Sequence, residues 1–217
     1  MGFPGFLLVG ADSLTARLVL LASGGGRTIV NFQEILWRGE LDASIARVII
    51  SNPASGVLTK AKDIGLATTV IGKESHPLPE EREKALIAAI RKESPDWILM
   101  AGWMNLLPIP KDFEGKTLNI HPALLPAWGG KGFWGSHVHE AVASAGPRFS
   151  GCTVHFASAE YDRGPCILQE GVLLPALADS SLIARTVFEA EKRAYPETLG
   201  LLLQGRVRLK DNQAVWA

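Results

Sequence analysis

A chain of 217 residues that is 47% hydrophobic and 20% charged has the make-up of one globular domain, which excludes a disordered or fibrous chain. Lys+Arg and Asp+Glu number 22 each, so the net charge is zero and the basic excess of a general nucleic-acid or membrane-surface binder is missing. Two cysteines, Cys152 and Cys166, make no disulfide framework and imply a reducing compartment.

The opening MGFPGFLLVGA is apolar but shorter than the roughly 20 residues of a membrane span. It lacks the basic start of a signal peptide, and Phe6 stands where a myristoylation motif needs Ser or Thr. Residues 1–15 are expected to be a loosely attached, poorly ordered leader. Residues 16–217 are expected to form a single cytoplasmic domain.

The apolar run RLVLLA (17–22) predicts a strand buried on both faces. TIVNFQEILWR (28–38) has apolar residues at helical spacing and Gly39 as its stop. ARVIIS (46–51) predicts a second strand, 56–64 a short helix, and ATTVI (67–71) a third strand. EEREKALIAAIRKE (80–93) predicts a helix with acids leading and bases trailing, as its dipole prefers. DWILMAG (96–102) and KTLNI (116–120) predict strands four and five. SGCTVHFAS (150–158) and PCILQEGVLL (165–174) predict an antiparallel pair. A long helix over 180–203 and a short strand over 206–209 complete the chain. Strands alternating with helices pair in parallel through right-handed crossovers. The expected fold is therefore α/β: a Rossmann-like open, mostly parallel sheet with helices on both faces and a mixed, antiparallel C-terminal part.

Three stretches carry chemistry. Ser23-Gly24-Gly25-Gly26-Arg27-Thr28 joins strand one to helix one. Amides at such a turn either cradle a phosphate on the helix dipole or merely close a tight turn. The turn is not GxGxxG, lacks the GK[ST] of a P-loop, and strand two ends without an acid for a ribose. A phosphomonoester is favoured over NAD or ATP. In Leu118-Asn119-Ile120-His121-Pro122, Asn and His two residues apart leave a strand end on the same side. The carboxamide can donate to a developing oxyanion and the imidazole can move a proton. Glu160-Tyr161-Asp162-Arg163-Gly164-Pro165 is either a plain turn or, if Asp162 reaches His121, the carboxylate partner of that ring. His137 and His139 open a helix, where i and i+2 do not share a face, so no metal site is expected. His155, read alone, is a structural histidine, and Trp97, Trp103, Trp128 and Trp134 read as packing.

Together, the SGGG turn, MAGWMNLL, LNIHPALLP, GCTVHF and EYDRGPCILQE resemble the folate-dependent formyltransferases, and among them the phosphoribosylglycinamide (GAR) formyltransferase family, over residues 16 to 217. The short length favours that group over the methionyl-tRNA formyltransferases. The resemblance implies formyl transfer from 10-formyltetrahydrofolate, as co-substrate, to the amine of GAR in purine biosynthesis, with no metal. It implies catalytic roles for Asn119, His121 and Asp162, with His155 nearby. It implies GAR and phosphate contacts at Gly24, Gly25, Gly26, Arg27, Thr28 and Glu191. It implies folate contacts at Met104, Asn105, Leu106 and Leu107 and at Ser158, Ala159, Glu160 and Tyr161. The expected partners are these small molecules, with no nucleic acid or membrane, and the expected state is a monomer or homodimer. This chain carries Arg27-Thr28 where many members have Ser/Thr-Asn, and Asn105 where an Arg is common. Two other readings stay open: a folate formyltransferase acting on an amino sugar or aminoacyl group, and a non-catalytic folate- or nucleotide-sensing module.

Overall fold

The structure, a computed structural model, describes residues 15–217. The leader expected over 1–15 lies outside the described residues apart from Thr15. One seven-stranded sheet is built from β1 (Ala16–Ala22), β2 (Ala43–Ile50), β3 (Thr68–Val70), β4 (Trp97–Met100), β5 (Thr117–His121), β6 (Phe149–Phe156) and β7 (Cys166–Leu173). The spatial order is β3-β2-β1-β4-β5-β6-β7. The first five strands are parallel, and β6 and β7 are antiparallel.

Five helices cover the sheet: α1 (Arg27–Trp37), α2 (Gly56–Asp63), α3 (Pro79–Lys92), α4 (Ser136–Ala145) and α5 (Ser180–Leu203). Alternation along β1 divides the core. Leu18, Leu20 and Ala22 pack with Phe32 of α1, Val57 of α2, Val138 of α4 and Val187 of α5. Val19 and Leu21 face the other way, onto Leu86 and Ile90 of α3. β1 is apolar from Leu18 to Ala22 because both its faces are covered there. α3 starts with Pro79 at its first position, then Glu80 and Glu81, and ends with Arg91 and Lys92, so its charges complement the dipole at both ends. α5 is capped by the Asp179 side chain, which accepts from Leu182 N–H at 2.7 Å.

The predicted α/β class and its antiparallel C-terminal part are present. Two elements were not anticipated: a single 3₁₀ turn at Lys111–Phe113, and a last strand, Gln213–Trp216, paired with Val207–Lys210 as a separate hairpin. The chain leaves β1 toward β2 and β3 on one side and β4 continues on the other. The carboxyl ends of β1 and β4 therefore flank the point where strand order reverses, which is where open α/β sheets bind ligands.

Candidate active site

A cavity of about 430 Å³ opens at that point. Its walls hold the β1–α1 turn, the β4 exit, the end of β5, the loop before β7 and one face of α5. Every residue given a catalytic, phosphate-binding or folate-binding role in the sequence analysis lines it except Ala159, which is exposed. Ala159 is carried outward by its own loop, in which Ser158 Oγ donates to the Glu160 carbonyl at 3.1 Å.

Strand register assembles the polar centre. In the β5–β6 pair Asn119 lies opposite His155, and His121 opposite Thr153. Directly opposed side chains touch across an antiparallel ladder. Asn119 Nδ2 donates to His155 Nε2 at 3.0 Å and to Asp162 Oδ1 at 3.3 Å. His155 Nδ1 donates to the Phe156 carbonyl at 2.8 Å, which leaves Nε2 of the neutral ring as an acceptor and fixes the amide orientation of Asn119. His155 Nε2 and Asp162 Oδ1 are 3.7 Å apart, and both lie on the Nδ2 side of the Asn119 amide.

Asp162 is the hub. It takes a left-handed backbone conformation, φ 55°, that Asp tolerates better than most residues. Its Oδ2 accepts the Gly130 amide at 2.9 Å and lies 3.4 Å from His121 Nδ1. Burial works against its ionisation, yet the nearby His121 ring and the Gly130 amide hold its carboxyl below the ordinary range. The two sequence readings of Asp162, turn residue and histidine partner, are both realised.

His121 is 3% exposed, and its Nε2 donates to the Trp128 carbonyl at 2.8 Å. With Nδ1 facing a carboxylate, both ring nitrogens meet acceptors, an arrangement that only the imidazolium satisfies fully. Burial nonetheless pulls its pKa below the usual value, against the attraction of Asp162 and the Trp128 carbonyl. The sequence reading, in which Asp162 keeps the ring charged, omitted this burial. A histidine that needs its proton for both contacts and holds it weakly is suited to releasing it.

Several participants had no sequence signal. The Trp128 carbonyl and Gly130 amide come from the long β5–α4 loop. That loop is pinned by Thr153, whose Oγ1 donates to the Ala123 carbonyl at 2.7 Å and accepts the Leu125 amide at 3.0 Å, and by Gln169, whose Nε2 donates to the Leu125 carbonyl at 2.9 Å. Ser23 joins three strand exits, its Oγ accepting from Ser51 Oγ at 2.6 Å and from the Met104 amide at 3.1 Å.

At the other end of the cavity the β1–α1 turn has its carbonyls engaged by α2. Gly24 O accepts from the Val57 amide at 3.2 Å and Gly25 O from Lys60 Nζ at 2.8 Å. The amides of Gly25, Gly26, Arg27 and Thr28 donate to no protein group among the described residues. The Arg27 guanidinium lies 4.1 Å above the Phe188 ring. Gly26 has φ 75°, and a Cβ there would meet Val57 Cα at 2.9 Å, whereas one on Gly25 would meet nothing within 4 Å. Gly26 is therefore needed by the fold itself, and Gly25 is the position whose side-chain space is open.

Glu191 of α5 lies deep below the surface, although the cavity keeps part of it accessible. Burial pushes its carboxyl up to about 7, with Arg27 pulling the other way. Its stabilising contribution is full below the unfolded carboxyl pKa and is lost as pH rises through about 7. Glu191→Gln is expected to melt above the wild type at pH 8 and to converge with it near pH 4. The gap at pH 8 should be on the order of 2 kcal/mol, less than the full shift implies because the cavity admits solvent. An equal difference in Tm at both pH values would contradict this assignment. Among the described residues no cluster of three His, Cys, Asp or Glu side chains could hold a metal.

The formyl transferase family profile matches residues 16–199. The chain is 32% identical over 199 residues to the chloroplastic phosphoribosylglycinamide formyltransferase of Arabidopsis thaliana, covering 90% of this chain and 68% of that one. It is 31% identical over 201 residues to the Haemophilus influenzae phosphoribosylglycinamide formyltransferase, covering 91% of this chain and 92% of that one. It spans only 19% of the length of a trifunctional purine biosynthetic protein of Bos taurus to which it is 35% identical. The fold superimposes on glycinamide ribonucleotide transformylase 1 of Symbiobacterium toebii with a TM-score of 0.86 and 26% identity, covering 96% of this chain and 99% of that one. Matched over residues 16–199 and alike in fold, the chain belongs to the formyl transferase family.

Proposed function

We propose that this chain transfers the formyl group of 10-formyltetrahydrofolate to the amine of 5′-phosphoribosylglycinamide (GAR), giving formyl-GAR and tetrahydrofolate in de novo purine biosynthesis. The observation that carries the reading is that one cavity combines the Asn119–His121–Asp162 cluster with unpaired α1 amides and the Arg27 guanidinium. The phosphate of GAR sits on those amides beside Arg27. Its amine reaches the far end, where the formyl group waits. The folate lies between Met104–Leu107 and the 158–162 loop. Met104 and Leu106, 39% and 45% exposed, offer apolar surface for its ring faces.

In the reaction the amine nitrogen bonds to the formyl carbon, and the bond from that carbon to the folate nitrogen breaks. One proton passes from the first nitrogen to the second. The Asn119 amide turns an N–H from its resting partners to the oxyanion of the tetrahedral centre, and the His121 charge stabilises it. Asp162 stays ionised and holds the His121 proton until it is needed. The unpaired Cys152 and Cys166 accord with a cytoplasmic location.

A steady-state assay comparing GAR, an amino sugar phosphate and methionyl-tRNA as acceptors tests the assignment. GAR alone is expected to release tetrahydrofolate, and turnover with another acceptor only would overturn it. Gly25→Val separates phosphate binding from folding. It is expected to raise the KM for GAR about tenfold with the KM for the folate and the Tm little changed, a loss comparable to one charge-assisted hydrogen bond. Gly26→Val, in contrast, should lower the Tm markedly. Equal effects of Gly25→Val on both KM values would count against the pocket assignment.

A further inference from the structure

One polar side chain in the cavity wall has no task in this scheme. His139, on α4, is 8% exposed and lines the cavity. Its Nδ1 is sealed from solvent and has no hydrogen-bond partner, and Nε2 makes no protein contact either among the described residues. Because Nε2 is not sealed, it is the nitrogen left open toward the cavity. Burial drives the ring pKa down to about 4, with the charges of Arg27 and His121 adding to the effect, so the imidazole is neutral. Arg27 of the α1 turn and His121 at the end of β5 line the same cavity as the ring. Across from it α5, which packs on α4, presents Phe188 and Glu191 to the same space.

A neutral imidazole with no partner, nine-tenths buried, forfeits its hydrogen bonds in the empty protein. The helix could have placed an apolar residue here at lower cost, as it does at the neighbouring buried positions Val138 and Val142. A polar bound group facing Nε2 supplies one of the two hydrogen bonds the ring lacks, while the sealed Nδ1 stays unpaired. Position selects that group, because only the acceptor substrate spans the distance from the α1 turn to His121.

We infer that His139 is an acceptor-binding residue whose Nε2 hydrogen-bonds the ribosyl-glycinamide part of GAR, between its phosphate and its amine. This rests on the reading of the cavity as a GAR site. The bond is made in the ground state and kept through the reaction, so it acts on binding rather than on the chemical step.

Three variants and two measurements test it. His139→Leu is expected to raise both the KM for GAR and the calorimetric Kd for GAR, measured without folate, by about tenfold. The kcat and the KM for 10-formyltetrahydrofolate should stay within about twofold of wild type. His139→Gln carries a polar atom where Nε2 stands and should recover most of the affinity. His139→Asn carries one where Nδ1 stands and should behave like His139→Leu. Wild-type GAR affinity in a folded His139→Leu protein overturns the inference and leaves the functional reading intact. Equal losses in all three variants also overturn it, because a structural role would not distinguish Gln from Asn. If the leucine variant does not fold, the Gln and Asn variants decide by the same comparison. A wild-type protein that neither binds nor formylates GAR removes the functional reading and this inference with it.

Discussion

Asp162→Asn is expected to lower kcat by roughly 10²–10⁴-fold while the Tm and both KM values change little. Asn adopts the left-handed conformation found at residue 162 as readily as Asp does, so the turn survives. What disappears is the negative charge 3.4 Å from His121 Nδ1, together with one of the two oxygens that collect the Gly130 amide, Asn119 and the two imidazoles. Burial already depresses the His121 pKa, and Asp162 is the first of the groups opposing it. Without the carboxylate the imidazolium is scarcer still at neutral pH, and the proton route loses its anchor. The kcat of the variant should therefore recover partly as pH is lowered, toward the new His121 pKa. A variant that keeps more than about a third of the wild-type kcat at pH 7 would defeat the role given to Asp162.

Asn119→Ala is expected to cost roughly 10²–10³-fold in kcat, the usual loss on removing one oxyanion donor. Its amide is oriented by two acceptors, His155 Nε2 and Asp162 Oδ1, before the reaction begins. The KM for either substrate should shift little, because the interaction forms only as charge develops on the oxygen. Asn119→Asp is the sharper case. It keeps the shape but sets a second carboxylate beside Asp162 and replaces the donor with an acceptor. It should be at least as inactive as the alanine variant. Pre-steady-state measurement of the chemical step separates these losses from product release. A chemical step slowed less than about fivefold by Asn119→Ala would contradict an oxyanion role.

The parallel half of the fold was legible because its signals are local. After Arg17, LVLLA is apolar without alternation since β1 is covered on both faces there, and α3 announces both its ends through Pro79, its leading acids and its trailing bases. The last hairpin was also legible in principle. Asp211-Asn212, both with positive φ, separates VRLK from QAVW and is the kind of turn that favours Asn and Asp. The β5–α4 loop was not legible. It has no periodicity, and its course is set by contacts with Thr153, Gln169, His121 and Asp162, all distant in sequence or on other elements.

The site divides in the same way. Asn119 and His121 could be read from their two-residue spacing, and Asp162 only through resemblance, because Asp before x-Gly is ordinarily a turn. Gly26 drew attention as a phosphate contact, but its identity is required by its own φ and by the approach of Val57. His139 was set aside with His137 as a failed metal pair. The helix faces do separate the two, and they also put His139 with Val138 and Val142 on the buried stripe. A histidine on an apolar face is a signal that spacing alone does not reveal.

In the proposed reaction the formyl group passes directly between two substrates that meet beside Asn119, His121 and Asp162 in one cavity. A single-turnover experiment with enzyme in excess over 10-formyltetrahydrofolate, its formyl carbon labelled with ¹³C, tests it most directly. With GAR present the label should appear wholly in formyl-GAR at the rate at which tetrahydrofolate forms. With GAR absent the protein mass should not change and the folate should keep its label. Label retained on the protein, or released as formate ahead of formyl-GAR, would contradict the account.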